Sequence, residues 1–520
     1  MKFKLKNHTE GIYADEDRWE SEISTDLRDI FLNIFRKLPK YWYAKFCSKF
    51  SIKTLPKFPD SLDIPNSKTI FSWIKSLCAT PHRRPGTPEG HKAEDWVSQK
   101  LIELGLKEVR KDPIPIKVWE CTNWALKVQN DIMPSFFVVN TGFTSPQGVK
   151  APLVYVGRGT PKDFAKKDVS GKIVVAEVPF PYIPIGLLFR VLKFLNGVYY
   201  ISDPDYSLSV LKAQYLNFVR RNFIGGSTLK NAPLNDVYWN AFKRGAKGII
   251  LILKNQPANS NTHYGPYDGI MKPMPGLWVG KYDGVELKKL AKEKTEATMI
   301  LNGSIKKGVM HNVWGVLPGC SKEIVMITSH HDSPFQGAVE DGAGVAQVLA
   351  QVNIWAKVPK EKRKRTLVFV ISAGHFYGSQ GGHQFARTHP ELMKKVKLLI
   401  TLEHLGAKEV VERDKKYAFT NQLAFTVIFT SSEPLTIATV VNALQQKPAK
   451  STISIPMDLI ADAPTSDAAG FVLESKVPTI SWIGCPYYLL DKHDTLDKIA
   501  VSELQPICET ITELIKPFMY

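Results

Sequence analysis

The chain has 520 residues, enough for two or three domains with their own cores, so a peptide or a single small module is excluded. Hydrophobic residues make up 44% and charged residues 23%, with 34 Gly and 34 Pro, which excludes a disordered, collagen-like or coiled-coil chain. Lys and Arg number 68 against 50 Asp and Glu, a formal charge of +18 that favours anionic partners in general without choosing among them.

The N-terminus, MKFKLKNHTEGIYADEDRWE, is polar and lacks an apolar signal core, so a cytoplasmic protein is expected. Residues 16–55 read as a basic-aromatic helix carrying Trp19, Phe31, Phe35, Trp42, Tyr43 and Phe46, within an N-terminal extension at 1–60 that ends among Pro56, Pro59 and Pro65. From Ser67 a helix with Ile70, Trp73, Ile74 and Leu77 leads into the turn-rich HRRPGTPEGHK, and a second helix is expected over Glu94 to Leu104. A β tract with Ile116, Val118 and Phe136 to Val139 completes a block at 61–148.

The segment 149–303 contains the short β runs PLVYVGRG, GKIVVAEV and GAKGIILIL, interrupted at 179–235 by an aromatic-rich stretch that is either a packed helical face or a substrate lid. Within it Ile183 to Ser202 reaches membrane-spanning length, but Arg190 and Lys193 lie near its middle, which favours an amphipathic helix or lid over an integral span. From Val309 strands alternate with helices, in a last block at 304–520. An α/β mixed sheet flanked by helices is expected there, with functional groups at the carboxyl ends of its strands.

Three polar clusters stand at three such ends. His330 and Asp332 follow IVMIT, His375 follows TLVFVISA, and Glu403 follows KLLIT. With Glu340 and Asp341 they offer the nitrogens and oxygens that zinc or another borderline divalent ion needs. The Asp332 carboxylate is placed to orient the His330 imidazole. The six cysteines (Cys47, Cys78, Cys121, Cys320, Cys485, Cys508) contain no C-x-x-C pair and read as reduced thiols. Ser379 and Ser466 sit in no nucleophile elbow. The basic run from Lys360 to Arg365 reads as a solvated connection, and no nucleic-acid motif accompanies it.

These motifs together resemble the zinc aminopeptidase and glutamate carboxypeptidase family: R-R-P-G-T at Arg83 to Thr87, N-V-W-G-V-L-P-G at Asn312 to Gly319, H-x-D at His330 to Asp332, G-A-G-V-A from Gly342, R-T-L-V-F from Arg365, L-x-H-L-G from Leu402, S-D at Ser466 and Asp467, and D-T-L-D-K from Asp494. The resemblance implies a zinc-exopeptidase-like fold, with 149–303 as a β-rich protease-associated insert. It implies two metals in the ordinary case, with Glu340 at the bridging position, Asp341 beside it, and His330 and Glu403 as ligands. Aligned without a gap, His375 falls on the general base, while Phe376 and Leu490 fall on the two ligands exclusive to the second metal; His493 is three residues off register. Another register makes His375 a ligand and leaves Gly374 at the base position.

The expectation is therefore a metallohydrolase of amide or peptide-like C–N bonds, with one divalent ion, zinc, held by His330, Glu340 or Asp341, and Glu403, and with His375 and Asp332 as catalytic groups. The expected substrate is a small or aromatic amide or a lactam; a homo-oligomer stays open, and no nucleic acid is expected. Two alternatives are a non-catalytic binding or assembly protein on a peptidase scaffold and a conventional two-metal aminopeptidase.

Overall fold

A computed structural model describes residues 27–520 except 59–60, 130, 179–199, 203, 205–232, 255, 267, 461 and 465. Most of the aromatic stretch at 179–235, and the apolar run from Ile183 as far as Tyr199, lie outside the described residues.

The first helix, α1 (Leu27–Thr54), packs Leu38, Tyr41 and Ala44 inward and turns Phe35, Trp42, Tyr43, Phe46 and Phe50 outward. It is followed by α2 (Ser67–Leu77), whose N-cap Asn66 accepts the Thr69 N–H, and by α3 (Pro88–Glu103). This last helix starts well before the expected Glu94. Thr87 accepts the Gly90 N–H and Pro88 presets the first turn, so part of the apparent turn sequence is helix.

Twelve strands organise the chain beyond α3: β1 (Glu108–Val128), β2 (Val149–Tyr155), β3 (Ile173–Val178), β4 (Gly248–Leu253), β5 (Gly276–Gly280), β6 (Glu296–Leu317), β7 (Ile324–His330), β8 (Thr366–Ser372), β9 (Val396–Glu403), β10 (Thr426–Thr430), β11 (Thr452–Pro456) and β12 (Thr479–Gly484). With shorter edge segments they belong to one 15-stranded mixed sheet, whose order runs β5-β4-β3-β2-β6-β8-β7-β9-β12-β10-β11. Strand β1 pairs antiparallel with β6 along nearly its whole length, so the boundary expected at residue 303 falls inside a continuous strand. On the 149–303 side β2, β3, β4 and β5 are mutually parallel, with the helix Asp283–Lys292 between β5 and β6.

The other half holds the candidate site. Strand β7 is parallel to both β8 and β9, and β9 is parallel to β12. Along β7 the side chains alternate between two cores: Val325 and Ile327 enter one, Ile324 and Met326 the other. Both faces of the sheet are thus covered, which is why these strands read as unbroken apolar runs. Helix α4 (Gly344–Ala356) lies buried against one face with Trp355, and α5 (Leu504–Met519) supports it through Gln347 and Gln351, whose amides donate to the Leu504 and Cys508 carbonyls.

The basic connection before β8 corrects one expectation. Arg363 is 5% exposed and donates to the carbonyls of Trp355, Val358 and Pro318, so it fastens the end of α4 instead of facing solvent. All six cysteines are free. No helix among the described residues is long and apolar enough to cross a membrane.

Candidate active site

His330 is the last residue of β7 and Glu403 the last of β9, so adjacent parallel strands deliver both side chains to one sheet edge. Glu340 and Asp341 lie in a non-helical kink ahead of α4. Two groups fix that kink. Asp494, from the D-T-L-D-K motif, accepts the Val339 and Glu340 N–H groups at 2.9 and 2.8 Å. Arg83, from R-R-P-G-T, is fully buried and donates to the carbonyls of His331, Gln336, Gly337 and Glu340.

The side chains converge on Glu340. Its Oε1 lies 3.4 Å from His330 Nε2 and 3.6 Å from His375 Nε2, and its Oε2 lies 2.8 Å from His404 Nε2. The His330 and His375 rings stack with centroids 4.2 Å apart. His330, Glu403 and His404 form one group whose ligand atoms lie within 4.8 Å of one another, and His330, Glu340 and His375 form another.

Hydrogen bonding on the far side of each ring sets its tautomer. His330 Nδ1 is 3.1 Å from the Asp332 carbonyl and His404 Nδ1 is 2.8 Å from the Gly484 carbonyl. A carbonyl can only accept, so both Nδ1 atoms carry protons, and each ring on losing its second proton turns an Nε2 lone pair to the site. His375 Nδ1 meets Asp467 Oδ1 at 2.7 Å, and Ser372 Oγ donates to the other Asp467 oxygen at 2.8 Å. The contact expected from the Asp332 carboxylate is thus made by its backbone carbonyl. The carboxylate itself stands 3.4 Å from His330 Nδ1 and accepts the Phe376 N–H at 3.2 Å.

Asp341 is brought to the site's edge but is otherwise engaged. Its carboxylate accepts from Ser329 Oγ, Gly344 N and His404 N and stands 3.9 Å from His330 Nε2, so Glu340 is the nearer of the two acids to that imidazole. His331 turns away and bonds the His311 carbonyl, and His493 is half-exposed on Asp491. Gly374 has φ +76° and a Cβ there would overlap the Met310 side chain, so a side chain at that position is disfavoured and His375 is the group that reaches the site.

His330 Nε2, Glu340 Oε1 and Glu403 Oε2 are buried without a hydrogen-bond partner, while His404 Nε2 pairs with Glu340 Oε2 at 2.8 Å. Buried polar atoms left unpaired are costly. Imidazole nitrogens and carboxylate oxygens grouped in this way are donors that suit zinc.

The electrostatics agree with a site built around a cation. Burial alone would lower the His404 pKa, but Glu340, with Asp341 and Glu403, overrides this and lifts it to about 10. Burial and the Asp467 charge lift Glu403 to about 7. Burial opposes ionisation of Glu340 too, yet the surrounding imidazoles hold it well below the usual carboxylate range.

His404 is the histidine of the L-x-H-L-G motif, but nothing in the sequence assigned it a ligand role. Consecutive strand residues point to opposite faces, which argues against Glu403 and His404 sharing a site. His404, however, takes φ +58° just past the end of β9, and that turn brings its ring to the same side. The adjacent wall was equally illegible. Phe376 packs on His375 at 5.1 Å and on Tyr264 at 5.6 Å, and Tyr264 N donates to the Leu490 carbonyl at 2.9 Å. Arg84 lies over the Tyr264 ring at 5.1 Å.

A mixed α/β sheet with a buried His/Glu cluster at the carboxyl ends of its central strands is the arrangement of a metallohydrolase. Residues 312–515 match peptidase family M28 and form a domain of that zinc-aminopeptidase-like metallopeptidase family. The fold is similar to that of the zinc aminopeptidase from Bacillus subtilis (TM-score 0.63, 17% identity, covering 87% of this chain and 95% of that one). It is likewise similar to the peptidase M28 precursor from Shewanella amazonensis SB2B (0.63, 18%, 92% and 96%) and to the aminopeptidase from Aneurinibacillus sp. strain AM-1 (0.58, 19%, 86% and 93%). No curated protein sequence matches the chain. The protein is a metallohydrolase of the metallopeptidase type.

Proposed function

We propose that the protein hydrolyses a small or aromatic amide, or a lactam, at a site holding one zinc ion, with His330, Glu340, Glu403 and His404 as the residues that hold it. The observation that carries this reading is the group His330, Glu403 and His404, whose ligand atoms lie within 4.8 Å of one another, with Glu340 meeting both His330 and His404. Phe376 and Leu490, the two positions that the family resemblance assigns to the second metal, are both buried and apolar, and Phe376 packs against the Tyr264 ring. A single cation there would polarise the scissile carbonyl and acidify a bound water.

The remaining steps belong to the chain's own groups. His375 is the proton-transfer residue: Asp467 accepts its Nδ1 proton and orients the ring, so that Nε2 faces Glu340 and the site. In that orientation Nε2 can take a proton from the attacking water and pass it to the departing nitrogen. Protonation of His375 in advance is disfavoured once a dication occupies the neighbouring cluster. Asp467 is itself held by Ser372 and donates its N–H to Glu403 Oε1, which ties the proton-transfer residue to the ligand set. Phe376, Tyr264 and Arg84 supply a wall that suits a flat or aromatic acyl group better than a long peptide.

Residues 149–303 are proposed as an inserted module that lends Tyr264 to this wall, and 1–60 as an extension outside the catalytic unit. Elemental analysis of the purified protein, with an amide screen run with and without chelator, tests the proposal. One ion per chain at the central cluster, lost in His330→Ala and Glu403→Ala together with all turnover, is expected. Two ions at this cluster, or full occupancy in both variants, would reject it.

A further inference from the structure

A second group of metal-ligating side chains lies outside the catalytic cluster, between α3 and β6. His91 and Glu94 stand three apart on α3 and therefore share a face, and His311 comes from β6. His91 Nδ1 and His311 Nδ1 approach the same oxygen, Glu94 Oε2, at 2.9 and 2.8 Å. The other oxygen accepts the His311 N–H at 3.0 Å. The rings are tilted, with centroids 5.8 Å apart, and the three ligand atoms lie within 4.8 Å of one another.

Burial makes the cluster more than a surface coincidence. The Glu94 side chain is 1% exposed, and its ion-pair partners among the described residues are these two imidazoles. If both imidazoles are neutral, a carboxylate charge is buried with no counter-charge, which is expensive. The imidazoles are accessible, at 38% for His91 and 23% for His311, so an ion can reach the group from solvent.

We propose that His91, Glu94 and His311 form a separate divalent-cation site, selective for zinc-like transition metals, that pins α3 to β6. Two imidazoles and one carboxylate suit zinc and its neighbours and leave a fourth position for water. The site has a structural consequence for the fold. Helix α3 is capped by Thr87, at the end of the R-R-P-G-T segment whose Arg83 holds the Glu340 loop. His311 precedes Asn312, whose side chain bonds Ala373 N and Gly381 O on either side of His375. A cation here therefore joins the two supports of the catalytic loops.

The test uses the full chain, first stripped with chelator and then equilibrated with micromolar Zn2+ or Co2+. In the double variant His330→Ala/Glu403→Ala, which lacks two central ligands, one ion per chain should remain, with Co2+ giving the visible absorption of a low-coordinate nitrogen and oxygen site. Adding His91→Ala should abolish it, because losing a direct ligand costs more than the roughly 10- to 100-fold that loss of an outer partner costs. In the otherwise native chain His91→Ala should lower the ion count by one and remove the rise in Tm that Zn2+ produces beyond that from the central site. His91 is partly exposed, so this variant is read even where His311→Ala does not fold. The inference is overturned if the native chain and His91→Ala hold equal numbers of ions. It is also overturned if the ion in the double variant survives both His91→Ala and His311→Ala. A native chain with a single ion, lost in His91→Ala but kept in the double variant, would reject the central site and leave this one standing.

Discussion

At the residue scale the site is governed by where each imidazole keeps its proton. His330 and His404 give Nδ1–H to carbonyls and His375 gives it to a carboxylate at 2.7 Å, so all three present Nε2 inward, and His375 has the closest acid behind it, the Asp332 carboxylate standing 3.4 Å from His330 Nδ1. That difference separates the roles. His375→Ala should retain its metal and lose roughly 100- to 10,000-fold in turnover, the usual contribution of a general base; loss of metal with activity would make His375 a ligand. His404 adds a pH signature. Its folded pKa, raised to about 10, keeps a proton on the metal-free ring at neutral pH, and a ligand must shed that proton. Zinc affinity should therefore rise by about tenfold per pH unit for each proton displaced. At least one should be released between pH 7 and 9. More should be released below pH 7, where Glu403, lifted to about 7, also carries one. Calorimetry in buffers of different ionisation enthalpy counts these protons, and a pH-independent affinity would contradict the assignment of His404.

At the scale of elements, the decisive piece is the loop between β7 and α4. It carries Glu340 yet has little regular structure of its own, so its shape is imposed by Arg83 and Asp494 from opposite ends of the chain. The Arg83 guanidinium fork serves four backbone carbonyls in place of a carboxylate. Arg83→Leu should cost on the order of 3 kcal/mol, because several buried carbonyls lose their donor at once. Arg83→Lys should recover little of it, since an ammonium cannot reproduce the planar fork. Gly337 belongs to the same construction: it has φ +57°, and a Cβ would overlap Ser333 Oγ and the Glu340 carbonyl. Gly337→Ala should lower both thermal stability and metal occupancy, measured by calorimetry and elemental analysis. Unchanged occupancy would show that the loop does not set the ligand geometry.

At the scale of the whole molecule, one continuous sheet joins the 149–303 segment to the catalytic half through β6. Across this joint the Tyr264 ring, from the first part, packs on Phe376 from the second at 5.6 Å, which puts it beside the proposed site. Tyr264→Ala should raise KM for aromatic amides by about 2- to 10-fold, as expected from the worth of an aromatic pair, while leaving kcat for the smallest amides nearly unchanged. Equal effects on aromatic and small substrates would show that Tyr264 supports the fold and does not select the substrate.

The order of strands and helices, and the delivery of His330 and Glu403 to strand ends, were legible from the sequence because both depend on local periodicity and on a general property of parallel sheets. The start of α3 was misplaced because Pro and Gly in HRRPGTPEGHK read as a turn, whereas Thr87 and Pro88 are helix-starting residues. Arg363 read as solvated because a basic run gives no sign of which member turns inward. The turn that brings His404 beside Glu403, the engagement of Asp341 by Ser329 and backbone donors, the meeting of Tyr264 with Phe376, and the cluster of His91, Glu94 and His311 belong to the tertiary structure alone. Each rests on a backbone turn or on a contact between residues far apart in the chain, and neither leaves a periodic trace in the amino-acid order.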